Sequence, residues 1–268
     1  MTPRFSFAAT VIFLWCLLAL LAFILPLEPD RIYLQKILVT PGWQSWLGYD
    51  DLGRSIVDRI IMGARTSLLV AVCVVLVSAV TGTVLGMLAG WFGGWCDQLM
   101  VIVLDIFMAF PGILLAIAMA GLLGPGLMNA VIALALVGWV GFARLARAQT
   151  LGIKQREHIT AARALGTFGW RIGRQHLLPL IAAPLIIEAT FAVSATVIAE
   201  ASLSFLGLGV QAPASSWGTM IREGTRYMLV APHMVLAPGI AICLVVLSIN
   251  LLGDRLRDKM DVRQMERA

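Results

Sequence analysis

The sequence predicts an all-α polytopic membrane protein with six transmembrane helices. The mean hydropathy of the 268 residues is +0.91. Only 13% of them are charged, whereas an average soluble domain is about 25% charged. The apolar residues also form long runs, and about 20 such residues cross the hydrocarbon core of a bilayer. These segments must cross as helices, because each backbone polar group then finds its partner within the segment.

The predicted spans are residues 5–27, 66–96, 99–123, 127–143, 185–208 and 234–252. The first is longer than the apolar region of a cleaved signal peptide, roughly 7 to 15 residues, so we expect a permanent anchor. Pro111 and Gly112 interrupt the third span. These residues indicate either a tolerated kink or a pore-lining bend that changes between two states.

The distribution of lysine and arginine predicts which side of the membrane each loop faces. With a cytoplasmic N-terminus, 13 of the 20 basic residues lie inside: one before the first span, seven between 144 and 174, and five after the sixth span. The other seven lie outside. Because basic residues concentrate in cytoplasmic loops, we expect both termini and the loop 144–180 to be cytoplasmic.

Three regions follow from these spans. Residues 1–65 comprise the anchor helix and an outer segment with a short amphipathic helix, residues 66–252 form a five-helix core, and residues 253–268 form a basic tail. The helix within 50–65 either lies on the outer leaflet or contacts an external protein. Glycines at 82, 86, 90 and 94 predict a close helix contact, either inside the subunit or at a dimer seam.

Several function classes are excluded by missing motifs. The four cysteines and three histidines share no spacing typical of a disulfide framework or a metal site. No Gly-Lys pair exists, so the chain has no P-loop for ATP. Basic stripes interleaved with aromatic residues are absent, which argues against nucleic-acid binding. We expect no catalytic site, cofactor or metal.

The segment "EHITAARALGTFGWRIGRQHLLP", residues 157–179, differs from the apolar runs on either side of it. Its composition predicts a helix from Thr160 to Leu165, a bend at Gly166, and a second short helix from Gly169 that Pro179 stops. The alanines leave room for a partner surface to come close. A loop that only fixed orientation would need charge alone, so we interpret this segment as a docking element.

The same segment resembles a known motif. "TAARALG", followed nine residues later by "HLLP", resembles the coupling-helix motif of ABC importer permeases, which reads Glu-Ala-Ala, three residues, Gly, nine residues, Ile-x-Leu-Pro. Thr160 stands in place of the glutamate and His176 in place of the isoleucine. The departure at Thr160 removes the acid of the motif, and Glu157 lies one turn earlier.

Four further stretches are similar, in the right order, to the C-type permease of dipeptide, oligopeptide and nickel importers. They are "WLGYDDLGRSIVDRIIMGARTSL" (46–68), "DIFMAFPG" (105–112), "ASLSFLGLGVQAP" with "SWG" (201–218) and "NLLGDRLRDKMDVR" (250–263). Tyr49, Ser55, Arg255 and Val262 depart from the usual residues of that group. These departures leave the resemblance to the family intact. They do not allow the chain to be assigned to a finer subgroup within it.

The resemblance implies a type I ABC importer permease fold in the bacterial inner membrane. It implies a heterodimer with a second permease subunit, two ABC ATPase subunits and a periplasmic or extracellular solute-binding protein. Import of dipeptides or oligopeptides is the favoured function, and import of nickel or a metal chelate is the alternative. An ion-coupled secondary transporter is the alternative from another class, with the acids Asp105, Glu188 and Glu200 as its relay. Their positions near the ends of spans favour structural pairing instead.

The resemblance and the spans nominate three sets of site residues. Candidates for ATPase coupling are Glu157, Thr160, Ala161, Ala162, Arg163, Gly166, Leu178 and Pro179. Candidates for the translocation path or for helix packing are Asp105, Pro111, Gly112 and Glu200. Candidates for contact with the binding protein are Asp50, Gly53, Arg54, Trp217 and Gly218. A bulky β-branched residue at Gly166 is expected to abolish solute-stimulated ATP hydrolysis without affecting insertion.

Overall fold

The computed structural model describes residues 3–43 and 45–265 of the chain. Within these ranges the regular structure is helical, and extended pairing is limited to two isolated bridges, Gly42 with Ser45 and Tyr49 with Ser55. The helices are α1 (Pro3–Leu21), α2 (Ile56–Phe92), α3 (Gly94–Met108), α4 (Gly112–Leu123), α5 (Leu127–Ile153), α6 (Glu157–Ala164), α7 (Gly169–Ile172), α8 (Leu178–Phe205), α9 (Trp217–Thr225) and α10 (His233–Met265).

Four helical stretches are long and apolar enough to cross a membrane: Ile56–Phe92, Leu127–Ile153, Gly169–Phe205 and His233–Met260. The pair α3 and α4 would make a fifth span. The apolar part of α1, Ser6–Leu21, is roughly 24 Å long at about 1.5 Å per residue. That is short of the ~30 Å hydrocarbon core. Among the described helices, a sixth span at the N-terminus therefore stays a prediction.

The third predicted span, residues 99–123, is not one continuous helix. The structure divides it into α3 and α4, which are bent by 85° relative to each other. Proline lacks an amide hydrogen and disfavours helical geometry in the residue before it. The helix therefore ends at Met108, and the next begins directly after Pro111, at Gly112. A bend this large exceeds a tolerated kink, whereas a change between two states remains a prediction.

Of the four predicted glycines, Gly82, Gly86 and Gly90 lie in α2 and pack against α5 inside the subunit. Gly94 begins α3, and no described atom lies within 4 Å of an added Cβ there, so it is not part of this contact. A methyl group on Gly82 would overlap the carbonyl of Trp139, and one on Gly86 would overlap the carbonyl of Ala143. The two helix backbones therefore touch along this stripe, as small residues allow in membrane helices. Its use as a dimer seam is excluded, because α5 already covers it.

The remaining helices surround the α2–α5 pair. Helix α8 packs on α10 and α2, α1 packs on α10 and α2, and α9 packs on α8 and α10. One buried cluster at the α9 end includes Trp15, Trp217 and Met234. Another cluster, at the opposite end, includes Ile159 and Ile172 and joins the 157–177 segment to α2, α5 and α8. Residues 157–177 are thus anchored to the packed core through these buried side chains.

Candidate functional site

Residues 157–177, called the elbow below, connect α5 to α8. Its first helix, α6, is followed by Gly166, whose φ is +79°. The Gly166 N–H donates to the Arg163 carbonyl (2.9 Å), and the Thr167 N–H donates to the Ala162 carbonyl (3.1 Å). This pair of bonds is the helix C-terminal cap that requires a left-handed residue, usually glycine. The predicted bend at Gly166 is confirmed.

Pro179 does not stop the second short helix, contrary to the sequence prediction. Helix α7 continues through a π turn at Gly173–Leu177 into α8, and Pro179 lies in the first turn of α8. Pro179 therefore lies inside a continuous helical run and has no amide hydrogen to donate within it. The wider turn just before it relieves the clash of the proline ring with the carbonyl four residues earlier. The elbow is therefore continuous with a helix of 28 residues.

The base of the elbow is fixed to the ends of α2 and α5. Ile159 is fully buried, and the Arg163 guanidinium lies 4.1 Å from the centroid of the Trp91 ring. Just before α6, Lys154 Nζ donates to the Gly90 carbonyl (2.8 Å). Stacking of a guanidinium on an aromatic face adds about 0.5–1 kcal/mol at an exposed site. The elbow is thus held as a rigid unit.

The nominated coupling residues lie at the surface: seven of the eight are exposed, and Ala162 is half-buried. The Thr160 hydroxyl donates to the Arg156 carbonyl of its own helix turn (3.4 Å). It therefore does not replace the missing acid of the motif, and the Glu157 side chain is exposed.

Sequence patterns did not single out the three most exposed apolar side chains of the elbow. They are Leu165, Phe168 and Trp170, which are 86%, 83% and 80% exposed. A cluster of exposed large apolar residues marks a surface that another molecule covers. The available signal was "LGTFGW", in which apolar residues flank the glycines of an otherwise basic loop.

At the other end of the molecule, a buried ion network joins the segment before α2 to α9. Asp50 Oδ2 accepts from Arg54 Nε and from Arg59 Nη1, both at 2.6 Å. Glu223 Oε2 on α9 accepts from Arg54 Nη2 (2.9 Å) and from the same Arg59 nitrogen (2.8 Å). Breaking such a buried pair by removing one partner costs about 3–5 kcal/mol. The network therefore fixes the position of α9 on α2.

The five residues nominated for contact with a binding protein are buried, so their side chains are not available for that contact in this conformation. Asp50 is 1% exposed and Arg54 is 7% exposed. Gly53 has φ +74° and lies against the Tyr33 backbone. Trp217 Nε1 donates to the Ile60 carbonyl (3.1 Å), and Gly218 packs on the backbone of α8. These residues hold the α9 end together.

Asp51 lies next to this network: its buried Oδ1 atom accepts no hydrogen bond and lies 3.6 Å from Arg54 Nη2. Burial raises the pKa of the Asp51 carboxyl, and the neighbouring Asp50 raises it further. A raised pKa in the folded state means that the carboxyl favours folding at low pH, and that this contribution is lost as pH rises through the ordinary aspartate value to the folded pKa. Ionisation of the Asp51 carboxyl therefore costs more free energy in the folded chain than in the unfolded one.

Asp51→Asn is accordingly expected to raise the thermal unfolding midpoint at neutral pH, with the gain shrinking as pH falls. Unfolding midpoints of the two proteins between pH 4 and pH 8 measure this. Asp30→Asn, which changes an exposed aspartate of the same outer segment, should leave the midpoint unchanged. An equal effect of both substitutions would contradict the assignment to burial.

Two partly open cavities lie along α8. The first, of about 620 Å³, is lined by α2, α4, α5 and α8. The second, of about 430 Å³, is lined by α5, α8 and α10. Gly112, which opens α4, lines the first cavity, and Glu188 of α8 lines both.

The nominated acids have different surroundings. Glu200 is 1% exposed, and its carboxylate accepts from Ser204 Oγ (2.7 Å) and Ser67 Oγ (3.3 Å). It therefore pairs α8 with α2, as structural pairing predicts. Asp105 and Pro111 are exposed and belong to the lining of neither cavity. The structure does not bring Asp105 and Glu200 together with Gly112.

Residues 82–265 match the family described as the binding-protein-dependent transport system inner membrane component. The glutathione transport system permease protein GsiD of Pectobacterium atrosepticum is 42% identical over 240 residues, which cover 89% of this chain and 80% of that protein. The dipeptide transport system permease protein DppC of Alkalihalophilus pseudofirmus is 45% identical over 221 residues, which cover 82% of this chain and 73% of that protein.

Among solved structures, the chain is similar to an inward-facing conformation of the MetNI methionine ABC transporter. The TM-score is 0.60 at 22% sequence identity, over 74% of this chain and 95% of that one. This likeness confirms the predicted type I ABC importer permease fold. The chain belongs to the family of binding-protein-dependent transport system inner membrane components.

Proposed function

We propose that this chain is the subunit through which an ABC importer moves dipeptides or short oligopeptides across the inner membrane. Relatives named for dipeptide and glutathione transport, both peptides, support this substrate class. Nickel or a metal chelate has less support, because neither of these relatives is named for a metal. The energy comes from separate ATPase subunits.

The elbow is the observation that carries the proposal. Its tip offers Leu165, Phe168 and Trp170 to a partner, while its base is locked to α2 and α5. An ATPase groove that buries these side chains would move the elbow as a rigid body when the ATPases close. Because the elbow runs directly into α8, this displacement reaches the wall of both cavities. Such rigid-body motion around packed elements is a known form of switching.

The remaining partners belong to the same proposal. A second permease subunit would complete a heterodimer, with the termini of this chain in the cytoplasm. A solute-binding protein would meet the outer segment, which exposes the side chains of Trp43 and Trp46 almost completely. Tryptophan is enriched at the centre of protein interfaces, whereas the residues first nominated for this contact are buried.

The double substitution Phe168→Asp with Trp170→Asp tests the docking role. In the assembled importer these two aromatic side chains would be buried against the ATPase. Replacing them with charged residues is expected to lower solute-stimulated ATP hydrolysis roughly tenfold. The measurements are solute-stimulated ATP hydrolysis and ATP-driven uptake of alanyl-alanine by vesicles that contain the complete importer. Membrane insertion, followed by the amount of subunit in purified membranes, should be unchanged.

Gln155→Asp is the matched control, because Gln155 is exposed and lies between α5 and the elbow, so the change adds a negative charge near the elbow without removing an apolar side chain. Uptake by the control should equal that of the wild type. Full uptake by the double variant would reject the docking role. Uptake that followed an ion gradient and ignored ATP would favour the ion-coupled transporter instead.

A further inference from the structure

We propose that Glu188 binds the protonated amino group of the solute as it passes through the core. This inference rests on the proposed transport function and adds the chemical group that the passage recognises. Glu188 lies in α8, within the membrane-spanning stretch Gly169–Phe205, and it lines both cavities. A solute moving from one cavity to the other would pass its carboxylate.

The Glu188 carboxylate has no protein partner. It is half-buried, and the described part of the chain gives it neither a hydrogen bond nor an ion pair. Acids within membrane helices normally pair with another group or face a water-filled space. Glu200 takes the first course, through Ser67 and Ser204. Glu188 instead faces the two cavities, which leaves its carboxylate available to a ligand.

Gly141 on α5 keeps space for this carboxylate. A methyl group added at Gly141 would lie 2.6 Å from Glu188 Oε1, well inside the contact distance of two heavy atoms. Any other residue at this position would push the carboxylate out of its place. The glycine thus forms part of a recess that admits the acid between α5 and α8.

The surroundings favour an organic cation. The first cavity is otherwise mostly apolar, and its hydroxyls on Thr196 and Ser202 already donate to carbonyls of their own helix (2.7 and 2.8 Å). Among the residues that line this cavity, Glu188 carries the charge. Low polarity strengthens attraction between opposite charges. A divalent metal would need more oxygen ligands than one carboxylate supplies.

The second cavity adds the opposite charge. Arg257 of α10 and Gln149 of α5 line it together with Glu188. A peptide has a protonated amino group at one end and a carboxylate at the other. With its amino group at Glu188, its carboxylate can face Arg257. The arrangement therefore fits a short peptide with a free N-terminus better than one whose N-terminus is blocked.

Saturation-transfer NMR on the complete importer in detergent, without its binding protein, tests the site directly. The probes are alanyl-alanine and its N-acetyl form at equal concentration. An ion-assisted hydrogen bond corresponds to roughly a tenfold preference for the free amine, which we expect in the wild type. Glu188→Gln keeps the shape and removes the charge, so the preference should disappear. Glu188→Asp should retain part of it.

Asp254→Asn is the matched control, because Asp254 is an exposed acid of α10 that lines neither cavity. It should keep the full preference. A preference that survives in Glu188→Gln, or is absent from the wild type, would overturn the proposal. If the importer with Glu188→Gln fails to assemble, the wild type alone tests the site: methylammonium is added as a competitor of bound alanyl-alanine. Displacement of alanyl-alanine by methylammonium but not by potassium supports the site, and equal behaviour of the two cations rejects it.

ATP-driven uptake separates this inference from the proposed function. If vesicles with the wild-type importer do not take up alanyl-alanine while the Glu188-dependent preference persists, the proposed function fails and the amine site stands. If uptake occurs and Glu188→Gln changes no preference, the function stands and the amine site is wrong.

Discussion

Replacing Gly166 with valine is expected to reduce solute-stimulated ATP hydrolysis of the assembled importer roughly 5- to 30-fold, which is less than the complete loss expected from the sequence alone. Gly166 has φ +79°, and a side chain in this left-handed region costs about 1–2 kcal/mol. An energy of that size shifts a conformational equilibrium by a factor of about 5–30. No described atom lies within 4 Å of an added Cβ at this position, so the effect comes from the backbone and not from a clash.

Two control substitutions isolate the backbone effect. Gly166→Asn should retain most of the coupling, because asparagine tolerates the left-handed region better than other residues. Gly173→Val makes the same chemical change inside the same elbow, where φ is −54° and an added Cβ meets no described atom within 4 Å. It should couple almost as well as the wild type. Wild-type stimulation in Gly166→Val would show that the bend is not needed for coupling.

Local features of the elbow were predictable from the sequence because they depend on neighbouring residues. The bend requires a residue that adopts positive φ, and Gly166 is that residue in "TAARALG". The course of the chain at Pro179 was not predictable. A proline usually ends a helix, whereas here the helix continues from α7 through Pro179 into α8. The π turn that decides between these outcomes leaves no mark in the composition.

The broken third span shows what hydropathy leaves out. Residues 99–123 are apolar apart from Asp105, so their hydropathy indicates one crossing segment. Whether Pro111 bends that segment by a few degrees or by the observed 85° depends on packing against the other helices. Apolarity measures the cost of placing a residue in lipid. It carries no information on the angle between two helical halves.

The α9 end shows a different gap. Asp50 and Arg54 looked exposed because their neighbours are charged and polar. Their burial depends on Glu223, which is 169 positions from Arg54 in the chain. A pairing over that separation leaves no local pattern, and a single sequence without related sequences does not reveal it. The overall class was predictable from composition, but the roles of these side chains were not.

Gly86→Leu is expected to cause the largest loss of folded protein among these substitutions. The added side chain would meet the Ala143 carbonyl of α5 directly, and a backbone atom does not move aside as a side chain does. Overpacking typically costs about 1–3 kcal/mol. In a bilayer, close packing of helices replaces the hydrophobic drive as the source of association. The α2–α5 contact also supports the base of the elbow and one wall of the first cavity.

The yield of monodisperse importer in detergent and its thermal unfolding midpoint measure this loss. Gly121→Leu makes the same change on α4, where the position is exposed and no described atom lies within 4 Å of an added Cβ. It should lower neither quantity. Equal losses in the two variants would mean that leucine is poorly tolerated in these helices generally. A loss confined to Gly86→Leu would show that folding depends on the close contact between the backbones of α2 and α5.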